Sequence, residues 1–197
     1  MHSFNFLENY KAQINEGLDS IETKVFLDVV ELITNAHRAR ANVFVAGNGG
    51  SAAIAEHFSC DHSKGVGSNT GYFPKLISLT SNVSLFTAYA NDIGYSRVFS
   101  EQLVNFADAG DVLIVITSSG NSPNIIEALK VAKQLGMKTV SFTGFNGGQA
   151  SNMADYNIHI DIDNYGVVED CHQIIMHMLA QYIRIKDTVV DLNTVRL

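Results

Sequence analysis

Apolar residues recur along this chain with two different periods. Over the first 40 residues they follow a helical period of about 3.6, which predicts helices at residues 3–19 and 21–40. From residue 41 onward, short runs rich in β-branched residues alternate with helical stretches. The strand-like runs are NVFVA at 42–46, KLISL at 75–79, DVLIVI at 111–116, KTVSF at 138–142 and YNIHI at 156–160. This alternation predicts βαβ units with a buried parallel sheet.

The order of elements predicts an α/β fold, with a five-stranded parallel sheet sandwiched between helices in a doubly wound arrangement. We predict a single domain over residues 1–197, with a helical extension at 1–40 and the α/β core at 41–187. The two leading helices could pack on the sheet or on another subunit, and we favour the second because apolar helical hairpins often need a partner. Residues 188–197 are expected at the surface or in an interface.

Composition and charge narrow the class of protein. Apolar residues make up 46% of the chain and there are only two prolines, which excludes a disordered or collagen-like chain. The net charge of −7, without a block of like charges, disfavours non-specific binding to nucleic acid. The N-terminal sequence does not resemble a secretory leader, and no apolar run is long enough to span a membrane. Cys60 and Cys171 are expected to be packing residues in a cytoplasmic protein.

A glycine-rich loop, GNGGS at residues 47–51, links the first predicted strand to a helix. Its glycines permit close approach of the backbone, and the free N–H groups of the following helix suit a phosphate or a sugar hydroxyl. The loop matches neither the Walker A motif nor the GxGxxG dinucleotide fingerprint. Alternatively, it is an ordinary tight turn between strand and helix.

A second loop, TSSGNS at residues 117–122, follows the most apolar strand. Four hydroxyls and a glycine at the start of a helix can bind phosphate without a lysine. The alternative is that Ser122 is simply an N-cap, with Pro123 in the first turn of the helix. Four hydroxyls exceed what a cap requires, which favours phosphate binding.

Two predicted helices each offer one imidazole and one carboxylate. His57 and Asp61 lie four residues apart, and Glu169 and His177 lie eight apart, so each pair can share a helical face. Such a set can hold a divalent metal or act as general acid and base, although each pair alone could be structural. Periodicity leaves three rival members open: His62, Asp170 and His172. In a separate helical stretch, the pair Asn91 and Asp92 could line a pocket or cap a helix.

Several longer segments together resemble the sugar isomerase (SIS) domain, and within it the sedoheptulose 7-phosphate isomerases. The segments are VAGNGGSAAIAEHF, TAYANDIGYSRVF, GDVLIVITSSGNSPNIIEALKVAK and TVSFTGFNGG, and the resemblance spans residues 18–184. It implies a flavodoxin-like fold and conversion of sedoheptulose 7-phosphate to D-glycero-D-manno-heptose 7-phosphate through an enediol(ate), for bacterial heptose and lipopolysaccharide synthesis. It also implies a cytoplasmic homotetramer with active sites between subunits and one Zn²⁺ per subunit.

The resemblance also implies roles for individual residues. Phosphate would be held by Thr117, Ser118, Ser119 and Ser122. The sugar chain or the phosphate would contact Asn48, Gly49, Gly50 and Ser51, and other parts of the substrate would contact Asn91, Asp92 and Glu169. Zinc would be held by His57, Asp61, Glu169 and His177, of which His177 and Asp61 would share the acid–base work. A residue that binds the metal is not a free base, so the two roles compete.

Three positions depart from the family pattern. Asp61 replaces a glutamate, Glu169 replaces a glutamine, and Gly65 replaces a basic residue for which the adjacent Lys64 could substitute. An isomerase of another ketose phosphate therefore remains an alternative. A second alternative is a non-catalytic protein that binds a partner protein, as does a relative that binds a replication initiator. A third is a phosphosugar sensor, but such sensors are usually fused to a DNA-binding module, for which this chain has no room. Both histidines and both carboxylates are present, which favours the enzyme.

Overall fold

The computed structural model describes residues 2–68 and 70–187. The helices are α1 (His2–Asp19), α2 (Thr23–Ala39), α3 (Gly50–Cys60), α4 (Val83–Asp92), α5 (Ser100–Phe106), α6 (Pro123–Gln134), α7 (Gly148–Met153) and α8 (Tyr165–Ile185). The strands are β1 (Asn42–Gly47), β2 (Lys75–Ser78), β3 (Val112–Thr117), β4 (Lys138–Thr143) and β5 (Tyr156–His159). A π-helical turn (Asp61–Val66) continues α3, and a 3-10 turn (Tyr95–Arg97) follows α4. The expectation for residues 188–197 lies outside the described residues.

The five strands form one parallel sheet in the order β2-β1-β3-β4-β5. Every residue of the central strand β3 is buried, because helices cover both faces of the sheet. The uninterrupted apolar run of this strand is therefore the sequence signature of its position. The predicted α/β fold class is confirmed.

The N-terminal helices differ in how they pack. Val29, Val30 and Ile33 of α2 are buried in the same core as α8, and α2 contacts β1 and β5. The expectation that these helices pack on another subunit is wrong for α2, because its apolar stripe covers the sheet of its own chain. Helix α1 packs against α8 but leaves Phe6 and Leu7 exposed. A role for residues 1–40 in an oligomer interface therefore stays a prediction.

The sheet brings the two polar loops to one rim. Gly47, at the end of β1, pairs with Ile116 near the end of β3, so the loops that follow are neighbours. The loop after β4 joins them, because the backbone N–H of Gly144 donates to the carbonyl of Ser118 at 2.9 Å. Ligand-binding loops beyond the carboxyl ends of parallel strands are the expected consequence of this topology.

Candidate active site

The rim carries a small hydroxyl-rich pocket of about 130 Å³, which we call the cradle. It is lined mainly by Asn48, Ser51, Thr117, Ser118, Ser119, Ser122, Tyr165 and Glu169. Predicted substrate residues from both loops thus meet in one place, since the loops follow adjacent strands. Gly49 lies beside the cradle, in a neighbouring pocket that shares Asn48.

Two hydroxyls of the cradle have no hydrogen-bond partner among the described residues. Ser122 is the N-cap residue of α6, yet its side chain makes no capping hydrogen bond within the described residues. The Ser118 hydroxyl is buried and likewise has no hydrogen-bond partner in the described part of the chain. A buried hydroxyl without a partner carries a desolvation cost that a bound oxygen could remove. These two serines therefore support a binding role for the loop over a purely capping role.

Gly120 sets the shape of this loop. Its φ is +66°, and an added Cβ would collide with the backbone carbonyl of Gly147 in the loop after β4. The backbone N–H of Gly120 donates to Thr117 Oγ1 at 3.2 Å. The left-handed conformation and the close approach both require glycine, and together they turn the loop around the cradle.

Glu169 reaches the cradle from α8. Its carboxylate lies against Gly50, the first residue of α3, where an added Cβ would overlap the Glu169 carboxylate oxygens. Burial raises the pKa of Glu169, and the charge of Asp170 adds to the rise. A carboxylate beside a helix N-terminus interacts favourably with the helix dipole. The described structure thus places Glu169 with the serines and Gly50, and it does not bring Glu169 to the other predicted metal ligands.

Those other ligands form a separate cluster of His57, Asp61 and His177. One ligand atom from each residue lies within 4.8 Å of the others. Nε2 of His57 is 3.3 Å from Asp61 Oδ1, and Nε2 of His177 is 3.4 Å from Asp61 Oδ2. The arrangement arises because α3 runs straight into the π-helical turn, which keeps Asp61 one turn beyond His57. Two imidazoles and one carboxylate are the donor set of many catalytic zinc sites, so the residues fit the predicted cofactor.

Gln173 is a member of this cluster that the sequence analysis missed. Its Nε2 lies 3.0 Å from Nδ1 of His57 and 3.3 Å from Nε2 of His177. The signal was available, because Gln173 precedes His177 by four residues and so shares its helical face. Glu169, the position that matches the family's glutamine, lies one helical turn nearer the N-terminus of α8.

A larger pocket of about 370 Å³ adjoins the cluster. His57, Asp61 and His177 line one part of it. Lys64, predicted as a substitute for the missing basic residue, lines the same pocket, and Arg184 from α8 adds a second cation. Positive charge beside a metal-type cluster suits an oxygen that gains negative charge during a reaction.

The remaining candidates lie elsewhere. Asn91 and Asp92 are exposed at the end of α4 and bond to each other at 2.8 Å, and the described structure brings neither to the cradle or the cluster. The three rival residues make other contacts. The imidazole of His62 lies 3.2 Å from that of His37, the carboxylate of Asp170 accepts from Tyr10, and the imidazole of His172 lies 3.3 Å from the Thr143 carbonyl.

The two cysteines differ. Cys171 is buried in the core, and burial together with the nearby Asp170 raises the pKa of its thiol to about 11, which confirms the predicted packing role. Cys60 is exposed at the end of α3, so the packing interpretation is wrong for this residue. Phe58, two residues earlier on the same helix, is by contrast fully buried.

Comparison with known proteins decides the family. Residues 6–144 match the SIS domain family. The chain is 37% identical to the probable phosphoheptose isomerase of Thermoplasma acidophilum, with 89% of this chain and 93% of that protein covered. It is 36% identical to the phosphoheptose isomerase of Aliarcobacter butzleri, with coverage of 87% and 88%. The chain belongs to the phosphoheptose isomerase family.

The fold of this phosphoheptose isomerase family member agrees with solved structures. The phosphoheptose isomerase of Francisella tularensis superimposes with a TM-score of 0.82 at 28% identity, covering 92% of this chain and 96% of that one. GmhA of Neisseria gonorrhoeae gives the same TM-score and identity, with coverage of 93% and 98%. Within residues 2–68 and 70–187, no helix combines the length and the apolar character that crossing a bilayer requires.

Proposed function

We propose that this protein interconverts sedoheptulose 7-phosphate and D-glycero-D-manno-heptose 7-phosphate. The observation that carries the proposal is the pairing, in a member of this family, of a hydroxyl cradle suited to phosphate with a His–Asp–His cluster suited to proton transfer and a metal. The non-catalytic alternative is not favoured, because the cluster that such a protein could lose is present. We further propose a cytoplasmic role in supplying heptose for surface glycans such as lipopolysaccharide.

The phosphate is proposed to occupy the cradle. Thr117, Ser118, Ser119 and Ser122 surround the start of α6, whose N-terminus favours negative charge. At the start of α3, the Glu169 carboxylate already occupies the favourable position for an anion. The two loops are thus proposed to contact different parts of the substrate. The serine loop faces the phosphate, and the glycine loop faces hydroxyls of the sugar.

Isomerisation removes a proton from C1 of the ketose and returns a proton to C2, while the oxygen-bound proton moves from O1 to O2. We propose that His177 removes the proton from C1 and returns a proton to C2. Gln173 can donate to Nε2 of His177 when that nitrogen has no proton, and Asp61 can accept from it when it does. The two neighbours can therefore support both protonation states that the base passes through.

Zinc would be held by His57, Asp61 and His177, with Gln173 beside them, and when bound it would polarise the oxygens at C1 and C2. Because ligand and base roles compete for His177 and Asp61, we expect His177 to act as the base only while it is not a zinc ligand.

The active form is proposed to be a homotetramer with sites between subunits. The pocket that shares Asn48 with the cradle is also lined by Val83, Phe86 and Tyr95. Val83 and Tyr95 are 68% and 54% exposed, and α4 has no buried residue in the described chain. Exposed apolar side chains of this kind mark interaction surfaces. A partner subunit seated on α4 would border the substrate loop.

The test of the activity is an NMR assay of metal-analysed protein with sedoheptulose 7-phosphate. We expect an aldoheptose 7-phosphate from the wild type and none from His177→Gln. His159→Gln is the matched control, because His159 lies in β5 outside the cluster, and it should keep wild-type activity. Absence of turnover in zinc-titrated wild type, or wild-type rates in His177→Gln, would contradict the assignment.

The test of the cradle is the double variant Ser119→Ala/Ser122→Ala. Each lost charge-assisted hydrogen bond costs about 1.5–3 kcal/mol, so the loss of both should raise KM by at least about 100-fold. Ser81→Ala is the control, since Ser81 is exposed and bonds only the nearby Ser78 carbonyl among the contacts found in the described chain. An unchanged KM in the double variant would contradict a phosphate site in this loop.

A further inference from the structure

The substrate loop is tied to α6 by a pair of asparagine side chains. Asn48 Nδ2 donates to Asn124 Oδ1 at 2.9 Å, and Asn124 Nδ2 donates back to Asn48 Oδ1 at 2.8 Å. Asn124 is 1% exposed, so it does not present its side chain to solvent. Asn48 lies at the rim and lines the cradle. The pair thus joins a buried residue that is outside the pocket to an accessible one that is inside it.

The orientation of both amides follows from a backbone group. The N–H of Ile125 lies 3.0 Å from Asn124 Oδ1, and it also donates to the Ser122 carbonyl. Turning the Asn124 amide over would set its NH₂ against this N–H, two donors facing each other. The NH₂ group of Asn124 therefore points at Asn48, and the side-chain oxygen of Asn48 must accept its hydrogen bond.

A third residue completes the set. Tyr95 Oη donates to Asn48 Oδ1 at 2.9 Å. The oxygen of Asn48 then accepts from both Asn124 and Tyr95, which uses both of its lone pairs. One N–H of Asn48 is bound to Asn124, and no described residue accepts the other. Asn48 can therefore offer a ligand a hydrogen-bond donor and nothing else.

We propose that Asn124 is a positioning residue that fixes Asn48 as a donor to an oxygen atom of the phosphosugar in the cradle. The inference rests on the proposed function for the identity of the ligand. Tyr95 acts in the same direction, because it occupies the last acceptor site of Asn48. Neither Asn124 nor Tyr95 needs to touch the ligand for this effect.

The test is a double-mutant cycle on ligand affinity. The dissociation constant of sedoheptulose 7-phosphate is measured by calorimetry for wild type, Asn48→Ala, Asn124→Ala and the double variant. Each single change should weaken binding by about 3- to 10-fold, as loss of one neutral hydrogen bond does. The double variant should be no weaker than the weaker of the two single variants, because Asn124 acts through Asn48. Multiplication of the two effects would overturn the proposal.

Further arms separate a positioning role from a structural one. A structural role for Asn124 would lower the melting temperature of Asn124→Ala and leave the dissociation constant unchanged. The control Asn35→Ala, on the exposed face of α2, should leave the dissociation constant unchanged. If Asn124→Ala does not fold, the Tyr95→Phe/Asn48→Ala cycle decides. Tyr95→Phe should weaken binding by about 2- to 3-fold in wild type and not at all in Asn48→Ala.

The same measurements distinguish this inference from the proposed function. A wild type that binds the phosphosugar without isomerising it contradicts the proposed activity, whereas the binding cycle still decides the role of Asn124. Repeating the cycle with inorganic phosphate locates the oxygen: a weakened phosphate affinity places it on the phosphate, and an effect confined to the sugar phosphate places it on the sugar. If wild type binds neither probe, the proposal is overturned.

Discussion

Replacing His172 with glutamine should make this protein less sensitive to acid. His172 is fully buried in α8, and burial lowers the pKa of its imidazole from about 6.5 to about 4, with a smaller contribution from His159. The hydrogen bond with the Thr143 carbonyl opposes this shift. The unfolded chain takes up the proton near pH 6.5 and the folded chain near pH 4. Between these values the unfolded state binds more protons, so the free energy of unfolding falls as the pH falls.

The magnitude follows from the two pKa values. On going from pH 7 to pH 5, His172 lowers the free energy of unfolding by about 2 kcal/mol. This loss of stability levels off at about 3 kcal/mol below pH 4. Glutamine does not titrate, and its amide can still donate to the Thr143 carbonyl. The stability of wild type relative to His172→Gln should therefore fall by about 2 kcal/mol on going from pH 7 to pH 5.

Urea unfolding at a fixed protein concentration measures this difference at both pH values. Other buried histidines such as His37, whose pKa burial lowers to about 4, are present in both proteins and cancel in the comparison. The concentration is held constant because dissociation of an oligomer would add its own dependence. A difference in stability that is equal at pH 7 and pH 5 would refute the reasoning.

Three further substitutions test other parts of the site. Gly50→Ala should raise KM without unfolding the protein, because the new methyl group displaces the Glu169 carboxylate from the start of α3; steady-state kinetics and a melting curve separate the two effects. Gly120→Ala should lower stability by at least about 2 kcal/mol in thermal melts, since it combines a positive φ with a collision against the Gly147 carbonyl. Asp61→Asn should weaken zinc binding, measured by competition with a chelator. The loss should exceed the roughly 10–100-fold effect of removing a residue that only hydrogen-bonds to a metal ligand. Zinc affinity equal to wild type in that variant would exclude Asp61 as a ligand.

The strands and their order along the chain were predictable, because a strand that is buried on both faces consists of a continuous run of apolar residues. The buried run of β3 and the alternation of strands with helices suffice for an α/β fold. Short elements were not predictable in the same way. Helix α7 has only six residues and a single buried one, so it shows no apolar period. The spacing of apolar residues over 95–107 predicts one helix, whereas the structure has a 3-10 turn followed by α5.

Residue types and their spacing along the chain set the chemistry available to the cradle and the cluster. Hydroxyls and glycines after β1 and β3, and imidazoles beside carboxylates on α3 and α8, could be recognised by residue type and spacing. These are local properties, and local spacing is preserved when a helix or a turn forms.

Which of these groups meet depends on how the helices and the sheet pack together. Glu169 and His177 lie eight residues apart, a rise of about 12 Å along α8, so one helix delivers Glu169 to the cradle and His177 to the cluster. Gln173 reaches the cluster, and Asn124 holds Asn48, through contacts between elements far apart in sequence. Such contacts depend on how the helices dock on the sheet, and the period of a single helix does not contain that information.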